Sequence, residues 1–279
     1  MIGSESKTPD ISAFYQECYR PMEMKVHFHN SFELVYVVEG ASRFNINGKI
    51  YTVTPKSIVF ISNLENHELK VLEYPYKRYC MLIKPEYLNT VLNEPVLISI
   101  LKYRPEDFCH VIDLKSRDHA GFEEAFRRLY NEINSCEAFV KKYAGTLIAQ
   151  LFISLYRSFK NHFPLTAINK STETILKIQN YLENNFTEDV NLNDISKDNF
   201  QSMYYISHLF RKVTGFSFRE YLILLRLSRA KELLFYTSQD ITQVAINSGF
   251  NNVNHFIRIF KKNGGITPLQ YRKRASVRH

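Results

Sequence analysis

FRKVTG (Phe210–Gly215), followed by SFREY (Ser217–Tyr221), returns fifty positions later as FKKNGG (Phe260–Gly265), followed by TPLQY (Thr267–Tyr271). Phe210 pairs with Phe260, Arg211 with Lys261, Lys212 with Lys262, Gly215 with Gly265 and Tyr221 with Tyr271. Each copy reads as an amphipathic helix that ends in a basic pair and a glycine. Duplication at a fixed offset marks one supersecondary unit used twice, and the unit has the pattern of a helix-turn-helix. The last third of the chain is therefore expected to be all helix and to carry two such modules.

Within the second copy, Ile241, Val244 and Ala245 make a short helix, with Ala245 small where another helix must pass close. Ser248-Gly249-Phe250 supplies the turn, since glycine accepts a left-handed backbone. The next helix is expected from about Asn251 to Lys262. Val253, Phe256 and Phe260 recur at i, i+3 and i+7 and face inward. Asn254, Arg258 and Lys261/Lys262 share the opposite side. Asn and Arg side chains form paired hydrogen bonds with adenine and guanine edges in the major groove, so Asn252, Asn254 and Arg258 are the candidate base readers. Lys261 and Lys262 suit phosphates. In the first copy Leu192, Ile195 and Ser196 align with Ile241, Val244 and Ala245 at an offset of 49, and Ser202 caps the second helix. Ile206, Leu209, Phe210 and Val213 form its buried side. Tyr204, Ser207, His208, Arg211 and Lys212 face outward as the matching DNA-contact set. Phe200 stands where the second copy has Gly249, and Asn199 where an apolar neighbour is usual, so a distorted turn or weaker base readout is expected there.

Charge supports the same reading. The 279 residues carry a net charge of +8. Residues 171–279 hold 15 Lys and Arg against 9 Asp and Glu, and no acidic residue follows Asp240. A basic C-terminal third is the footprint of a phosphate-backbone binder. No apolar run approaches the roughly 18 residues that a membrane span needs. The start, MIGSESKTPD, lacks the basic-then-apolar pattern of a secretory signal. Cys18, Cys80, Cys109 and Cys136 lie far apart, with no pair at metal-finger or redox spacing. Reduced thiols and a cytoplasmic location, with no membrane association, are expected.

The first 115 residues read as short strands. Phe32–Val38 is an apolar run, followed by Glu39-Gly40 as a turn. Phe44, Ile46, Ile50 and Val53 flank Asn47-Gly48, a two-residue hairpin signal. Further strands are expected at Ser57–Ile61, Glu68–Leu72, Arg78–Ile83 and Phe108–Leu114, punctuated by Pro55, Asn63, Asn66 and Pro75. Many short strands with polar turns suggest a barrel or jelly roll. The period then changes to that of a helix. Phe122, Phe126, Leu129 and Ile133 follow a cap at Asp118. A second helix bears Phe139, Tyr143, Leu147, Leu151, Leu155 and Phe159 four apart, with Val140, Ala144, Ile148, Phe152 and Tyr156 beside them. So wide a stripe must bury against the barrel, a partner helix or another subunit. Residues 164–172 read as a linker, and from Thr174 onward the chain is expected to be helical.

Residues 173–279 resemble the DNA-binding domain of AraC/XylS-type transcriptional regulators. The likeness rests on Phe210-Arg-Lys, Gly215-x-Ser-Phe, Tyr221-Leu, Arg226-Leu, Ala230, Leu233-Leu234, Thr237 and Ile241-x-x-Val-Ala. It continues through Gly249-Phe250, Phe256-x-Arg258-x-Phe260-Lys-Lys, Gly265, Thr267-Pro268 and Tyr271-Arg272. It implies seven helices, two helix-turn-helix units joined by one long helix over Ser217–Tyr236, and binding to successive major grooves. Ser196, Asn199 and Phe200 depart from the pattern and bear only on the first module.

His27-x-His29-x-x-x-Glu33, followed by six residues and Gly40, is similar to the first signature motif of cupin barrels, and His67 stands where the second places its histidine. If residues 30–32 stay extended, His27, His29 and Glu33 share strand parity and point into the barrel. One reading is a divalent metal held by these four residues in a dioxygenase or isomerase. The other, which we take, is an effector pocket without chemistry and with no cofactor, because barrels joined to AraC-type domains mostly bind effectors. Tyr36 and Arg43 join His27, His29, Glu33 and His67 as candidate pocket residues, placed by strand position.

The expected fold class is α+β. It comprises a cupin-like barrel or jelly roll over 1–115, supporting helices over 116–163, a linker over 164–172 and an all-α DNA-binding domain over 173–279. The expected function is a non-enzymatic, sequence-specific transcriptional regulator that responds to a small molecule, with activation the commoner mode. Its partners would be double-stranded promoter DNA, the effector, RNA polymerase where it activates, and a second copy of itself in a homodimer. A constitutive DNA-binding protein with the barrel as dimer scaffold is the remaining alternative.

Overall fold

In a computed structural model of the chain, residues 10–114, 119–163, 169–198 and 202–276 are described. They fall into two compact units. One comprises Asp10–Lys177 with Lys212–Gly215, the other Ile178–Arg211 with the chain from Phe216 onward.

The first unit is built on a seven-stranded antiparallel sheet in the order β1-β6-β3-β5-β7, with β2 paired to β6 and β4 to β3. The strands are β1 (Ile11–Cys18), β2 (Glu23–His27), β3 (Phe32–Ile46), β4 (Lys49–Val53), β5 (Ser57–Ile61), β6 (His67–Ile83) and β7 (Val111–Asp113). Strand alternation sorts the side chains onto two faces. Leu34, Tyr36, Ile58, Phe60 and Met81 pack into one core with the helices. Val35, Val37, Val59, Ile61, Leu69 and Val71 pack into a second core on the other face. β5 is buried at all five positions because both faces are covered, which explains its unbroken apolar run.

Two expected breaks are absent. Glu39-Gly40 is not a turn, since β3 runs through it with register shifts against β6 at Val37/Glu39, Glu39/Ala41 and Ala41/Ser42. Gly40 has a φ of 74°, and a Cβ there would come within 2.5 Å of Pro75 O and 2.6 Å of Glu73 O. The bulge brings the partner backbone too close for any side chain. Pro75 sits opposite this bulge, so its missing N–H interrupts no regular ladder, and β6 continues through it. The expected hairpin does form, with Asn47 and Gly48 both at positive φ. The last expected strand shortens to Val111–Asp113.

Helices α1 (Pro85–Val91), α2 (Pro95–Lys102), α3 (His119–Ile133) and α4 (Val140–Ser158) cover one face of the sheet. Phe122, Phe126 and Leu129 of α3 and Leu147, Ile148, Leu151, Phe152 and Leu155 of α4 are buried there. The stripe expected on α4 is narrower than its sequence. Phe139 is the N-cap at φ 64° and is 81% exposed, and Tyr143 is 47% exposed. The expected cap Asp118 lies outside the described residues.

Helices α5 (Lys170–Asn185), α6 (Leu192–Asp198), α7 (Met203–Thr214), α8 (Phe218–Tyr236), α9 (Ile241–Asn247), α10 (Val253–Gly264) and α11 (Pro268–Ser276) follow. α5 begins at Lys170, so residues 170–172, read as linker, are helical; Asn169 starts the turn by accepting from Thr172 N at 2.9 Å. α8 matches the expected connector. It buries Tyr221, Leu222, Leu224, Leu225, Leu227, Leu233 and Leu234, a distribution around the axis rather than along one stripe. Such a helix is covered on several sides. Its Arg226 donates from Nε to Phe186 O at 2.7 Å and from Nη2 to Glu188 O at 2.8 Å, which ties the segment after α5 to the connector.

Candidate functional site

The sequence repeat survives as a repeat of atomic contacts. Ser217 and Glu220 close a capping box at the start of α8. Fifty positions later Thr267 N donates to Gln270 Oε1 at 2.9 Å and Gln270 N to Thr267 Oγ1 at 3.3 Å. Both boxes satisfy first-turn N–H groups that would otherwise be orphaned. Phe210 and Tyr221 meet edge-on with centroids 5.5 Å apart; Phe260 and Tyr271 do so at 5.7 Å. Gly215 and Gly265 have φ of 78° and 71°. Ser202 and Asn252 cap α7 and α10 by accepting from Tyr205 N and His255 N. The described parts of the two modules thus repeat in geometry as well as in sequence.

The turn of the second module is tight for an identifiable reason. Gly249 has a φ of 89°, and a Cβ there would lie 2.8 Å from Phe186 O and from Thr187 Cα. Phe250, Phe256 and Phe260 are buried behind it. In the first module Ser196 is buried and bonds to Asn193 O, while Asn199 and Phe200 lie outside the described residues.

Burial of Phe256 and Phe260 turns the other side of α10 to solvent. Asn254, Arg258, Lys261 and Lys262 are all exposed there, the first two one turn apart. Tyr204, His208, Arg211 and Lys212 are exposed on α7 at the positions fifty residues earlier, with Tyr204 83% exposed. Ser207 is half-buried, as is its counterpart Ile257. Asn252 differs from the other candidates because its Oδ1 accepts from His255 N at 2.9 Å as the α10 cap. Val253 and Leu209, expected inward, are only half-buried.

The polar cluster of the sheet unit is assembled differently from the sequence expectation. β2 ends at His27 and β3 begins at Phe32, so residues 28–31 turn a corner instead of staying extended. The corner nevertheless brings His29 to Glu33, with Nε2 3.2 Å from Oε2. His67, paired with His27 across β2 and β6, places its Nε2 3.3 Å from the same oxygen, outside hydrogen-bond geometry. The rings of His27 and His67 are 4.2 Å apart. Burial alone would raise the Glu33 carboxyl, but His29 and His67 outweigh it and hold it well below the usual range. His27 is pushed down to about 4, by burial first and the His67 ring second. His67 is burdened by burial, yet Glu33 beside it shifts it upward overall.

Cys80, which sequence reasoning passed over, donates from Sγ to Glu33 Oε1 at 3.3 Å. Burial, then the Glu33 charge, pushes its thiol well up, so it stays protonated. Only the β3–β6 register, which sets Val35 opposite Cys80, brings it there. Two further candidates lie elsewhere. Tyr36 points to the helical face and donates to Glu123 Oε2 at 3.0 Å, while Arg43 is exposed. A second buried cluster also went unread. Glu65 Oε1 lies 3.0 Å from His110 Nε2, Tyr51 Oη lies 3.0 Å from His110 Nδ1, and Arg104 Nε is 3.7 Å from Glu65 Oε2.

Paired helix-turn-helix modules and a sheet unit with a convergent polar cluster define a DNA-binding regulator equipped with a ligand-binding module. Residues 12–148 match the AraC-like ligand binding domain and residues 196–274 a helix-turn-helix domain. The chain belongs to the AraC/XylS family of transcriptional regulators. It is 27% identical over 276 residues to the uncharacterized HTH-type transcriptional regulator YdiP of Escherichia coli, covering 96% of this chain and 87% of that one. It is 24% identical to the transcriptional activator RhaS of Mannheimia succiniciproducens, covering 88% of each. ToxT from Vibrio cholerae shares the fold, with a TM-score of 0.62 at 15% identity over 95% of this chain and 98% of that chain.

Proposed function

We propose that this regulator reads promoter DNA chiefly through α10, with Asn254 and Arg258 on base edges and Lys261 and Lys262 on phosphates. The observation that carries the reading is the exposed Asn254–Arg258 pair on a helix whose opposite face is locked by Phe256 and Phe260. Such a face presents two bidentate hydrogen-bonding groups to the major groove without further rearrangement. α7 offers Tyr204, His208, Arg211 and Lys212 in the same places, with Ser207 at the edge of the face, which suits a second groove with less paired-base readout. Asn252 contributes through the cap that fixes the start of α10.

The effector module is the sheet unit, with His27, His29, Glu33 and His67 as the groups that meet the ligand. The ligand shifts the population between states that differ in DNA affinity. The protein is a cytoplasmic regulator without enzymatic activity; no described helix is long and apolar enough to cross a membrane. It works as a homodimer through α3 and α4, and as an activator it engages RNA polymerase, in line with the activator named among its relatives.

Titration of labelled duplexes by fluorescence anisotropy tests the base-reading assignment. Arg258→Ala is expected to cost about 1–3 kcal/mol on a selected site and to relax one base preference. Lys262→Ala is expected to weaken all duplexes alike and to lower the salt slope by roughly 0.9. Equal, sequence-independent losses from both variants would refute the role of Arg258.

A further inference from the structure

We infer that the sheet unit binds an organic acid, whose carboxylate docks on the buried guanidinium of Arg78. The inference rests on the reading of this unit as the effector module and names the chemical class of its ligand.

Arg78 escapes notice in the sequence, one basic residue beside another at Lys77-Arg78. On β6 it stands between Tyr76 and Cys80, and alternation sends all three to the face of the second core. Arg43 adjoins Phe44 of that core, so it points the other way and is exposed. Arg78 is only 3% exposed. A buried cation is ordinarily paired, because burial strips its hydration. Arg104, similarly buried, faces Glu65 at 3.7 Å. Arg78 has no such counter-charge among the described residues. Its Nε and Nη2 donate to Gln16 Oε1 at 3.0 and 2.9 Å, and Nη2 reaches Met24 Sδ at 3.3 Å. An amide and a thioether are neutral acceptors, the second a weak one. Glu33 lies on the same face, but four residues from Val37, which is opposite Arg78; that is about 13 Å along the strand.

The edge that Arg78 offers identifies the anion. Nε and Nη2 form a side of the guanidinium that takes both oxygens of a carboxylate in parallel. Here they converge on a single amide oxygen, because Gln16 is the residue opposite Arg78 across the β1–β6 ladder. One neutral oxygen thus stands where two, sharing a negative charge, would fit. Tyr76 and Cys80, which flank Arg78 on that face, add no second cation, so the site suits a monoanion and not a phosphate dianion. The Tyr76 phenol is near enough to feel the charge, since burial raises its pKa and Arg78 opposes the rise most strongly.

The surroundings supply a wall for an apolar body and a way in. Phe14, two residues from Gln16 on the same face of β1 and opposite Cys80, is 51% exposed. Gln16 is exposed and Met24 half-buried, on strands that pair with β6 alone. Turning these two flexible side chains outward uncovers the guanidinium edge without breaking a ladder. Two contacts link the site to the histidine cluster: Met24 shares β2 with His27, and Cys80 Sγ donates to Glu33 Oε1.

Isothermal titration of the full chain tests this with phenylacetate, cyclohexanecarboxylate, the amides of both acids and inorganic phosphate. One acid per chain is expected, with the amides at least tenfold weaker and no phosphate binding. Arg78→Gln should abolish the preference for acid over amide. Gln16→Ala leaves Arg78 in place and removes the competing oxygen, so the acids should bind at least threefold more tightly. Circular dichroism and thermal melting establish that each variant is folded, and the comparison of acid with amide needs no variant at all. Equal binding of acid and amide, no binding of either acid, or a preference that survives Arg78→Gln overturns the inference. Anisotropy with a selected duplex separates this from the effector reading. Both acids should change DNA affinity in the wild type and not in Arg78→Gln. If the acids fail to bind while an uncharged metabolite alters DNA affinity, the inference falls and the effector module stands. Acid binding at Arg78 that leaves DNA affinity unchanged overturns the effector reading and keeps the carboxylate site.

Discussion

His110 sits between a carboxylate and a phenol, and its surroundings dictate one charge state. With Nε2 donating to Glu65 and Nδ1 accepting from Tyr51, the neutral ring satisfies both partners. Burial lowers its pKa from the ordinary 6.5 in spite of Glu65. Burial opposes the charge on Glu65 too, but His110 and Arg104 hold that carboxyl below its usual range. In the folded chain His110 therefore takes up its proton at lower pH than in the unfolded chain, and its contribution to stability is lost as pH drops below 6.5. The Glu65 contribution is present above about 4.5 and is lost as pH falls further toward its folded value. Melting temperature should decline from pH 6.5 downward. In His110→Gln, which keeps a donor toward Glu65, the decline should be shallower, the remainder coming from His27 and His162, which burial lowers as well. A variant with the wild-type slope between pH 6.5 and 5 would contradict this account of the cluster.

Among the elements, the turn between α9 and α10 carries the tightest geometric demand. Gly249 combines a left-handed φ with backbone atoms where a Cβ would be. Gly249→Ala should destabilise the chain by at least about 2 kcal/mol through strain and overpacking. Gly264, the last residue of α10, has open space around it, and Gly264→Ala should stabilise by about 0.5–1 kcal/mol. Thermal unfolding of both variants checks the pair, and equal effects would mean that the turn is not constrained as described. The same scale shows what sequence makes legible. α8 and α10 were readable because caps, a glycine and a long apolar period agree along each helix. β1 was missed because ISAFYQEC buries only Ile11 and Ala13. α1 and α2 are only seven and eight residues long, too short for a period to show. Glu39-Gly40 has the composition of a turn, yet long-range pairing with β6 turns it into a bulge. The histidine cluster was half legible: four of its members carry a motif, but the corner at 28–31 and Cys80 depend on contacts that no local pattern encodes. Tyr36 lies on the opposite face of β3 from Glu33, as their odd spacing along one strand dictates.

At the scale of the whole molecule, one chain joins a module that binds a ligand to a module that binds DNA. Ligand can alter promoter occupancy only by the difference in its affinity for the two states. The DNA end of that linkage is where the account is most exposed. Two helix-turn-helix modules, alike in caps, ring pairs and glycines, should meet two successive major-groove segments about 10 base pairs apart. Selection of binding sites from random duplexes by the full chain measures this directly. The expected result is an enriched sequence with two blocks spaced by roughly one helical turn, the block contacted by α10 being the more strictly defined. Recovery of no sequence above bulk competitor, or of a single uninterrupted block insensitive to Arg258→Ala, would contradict it.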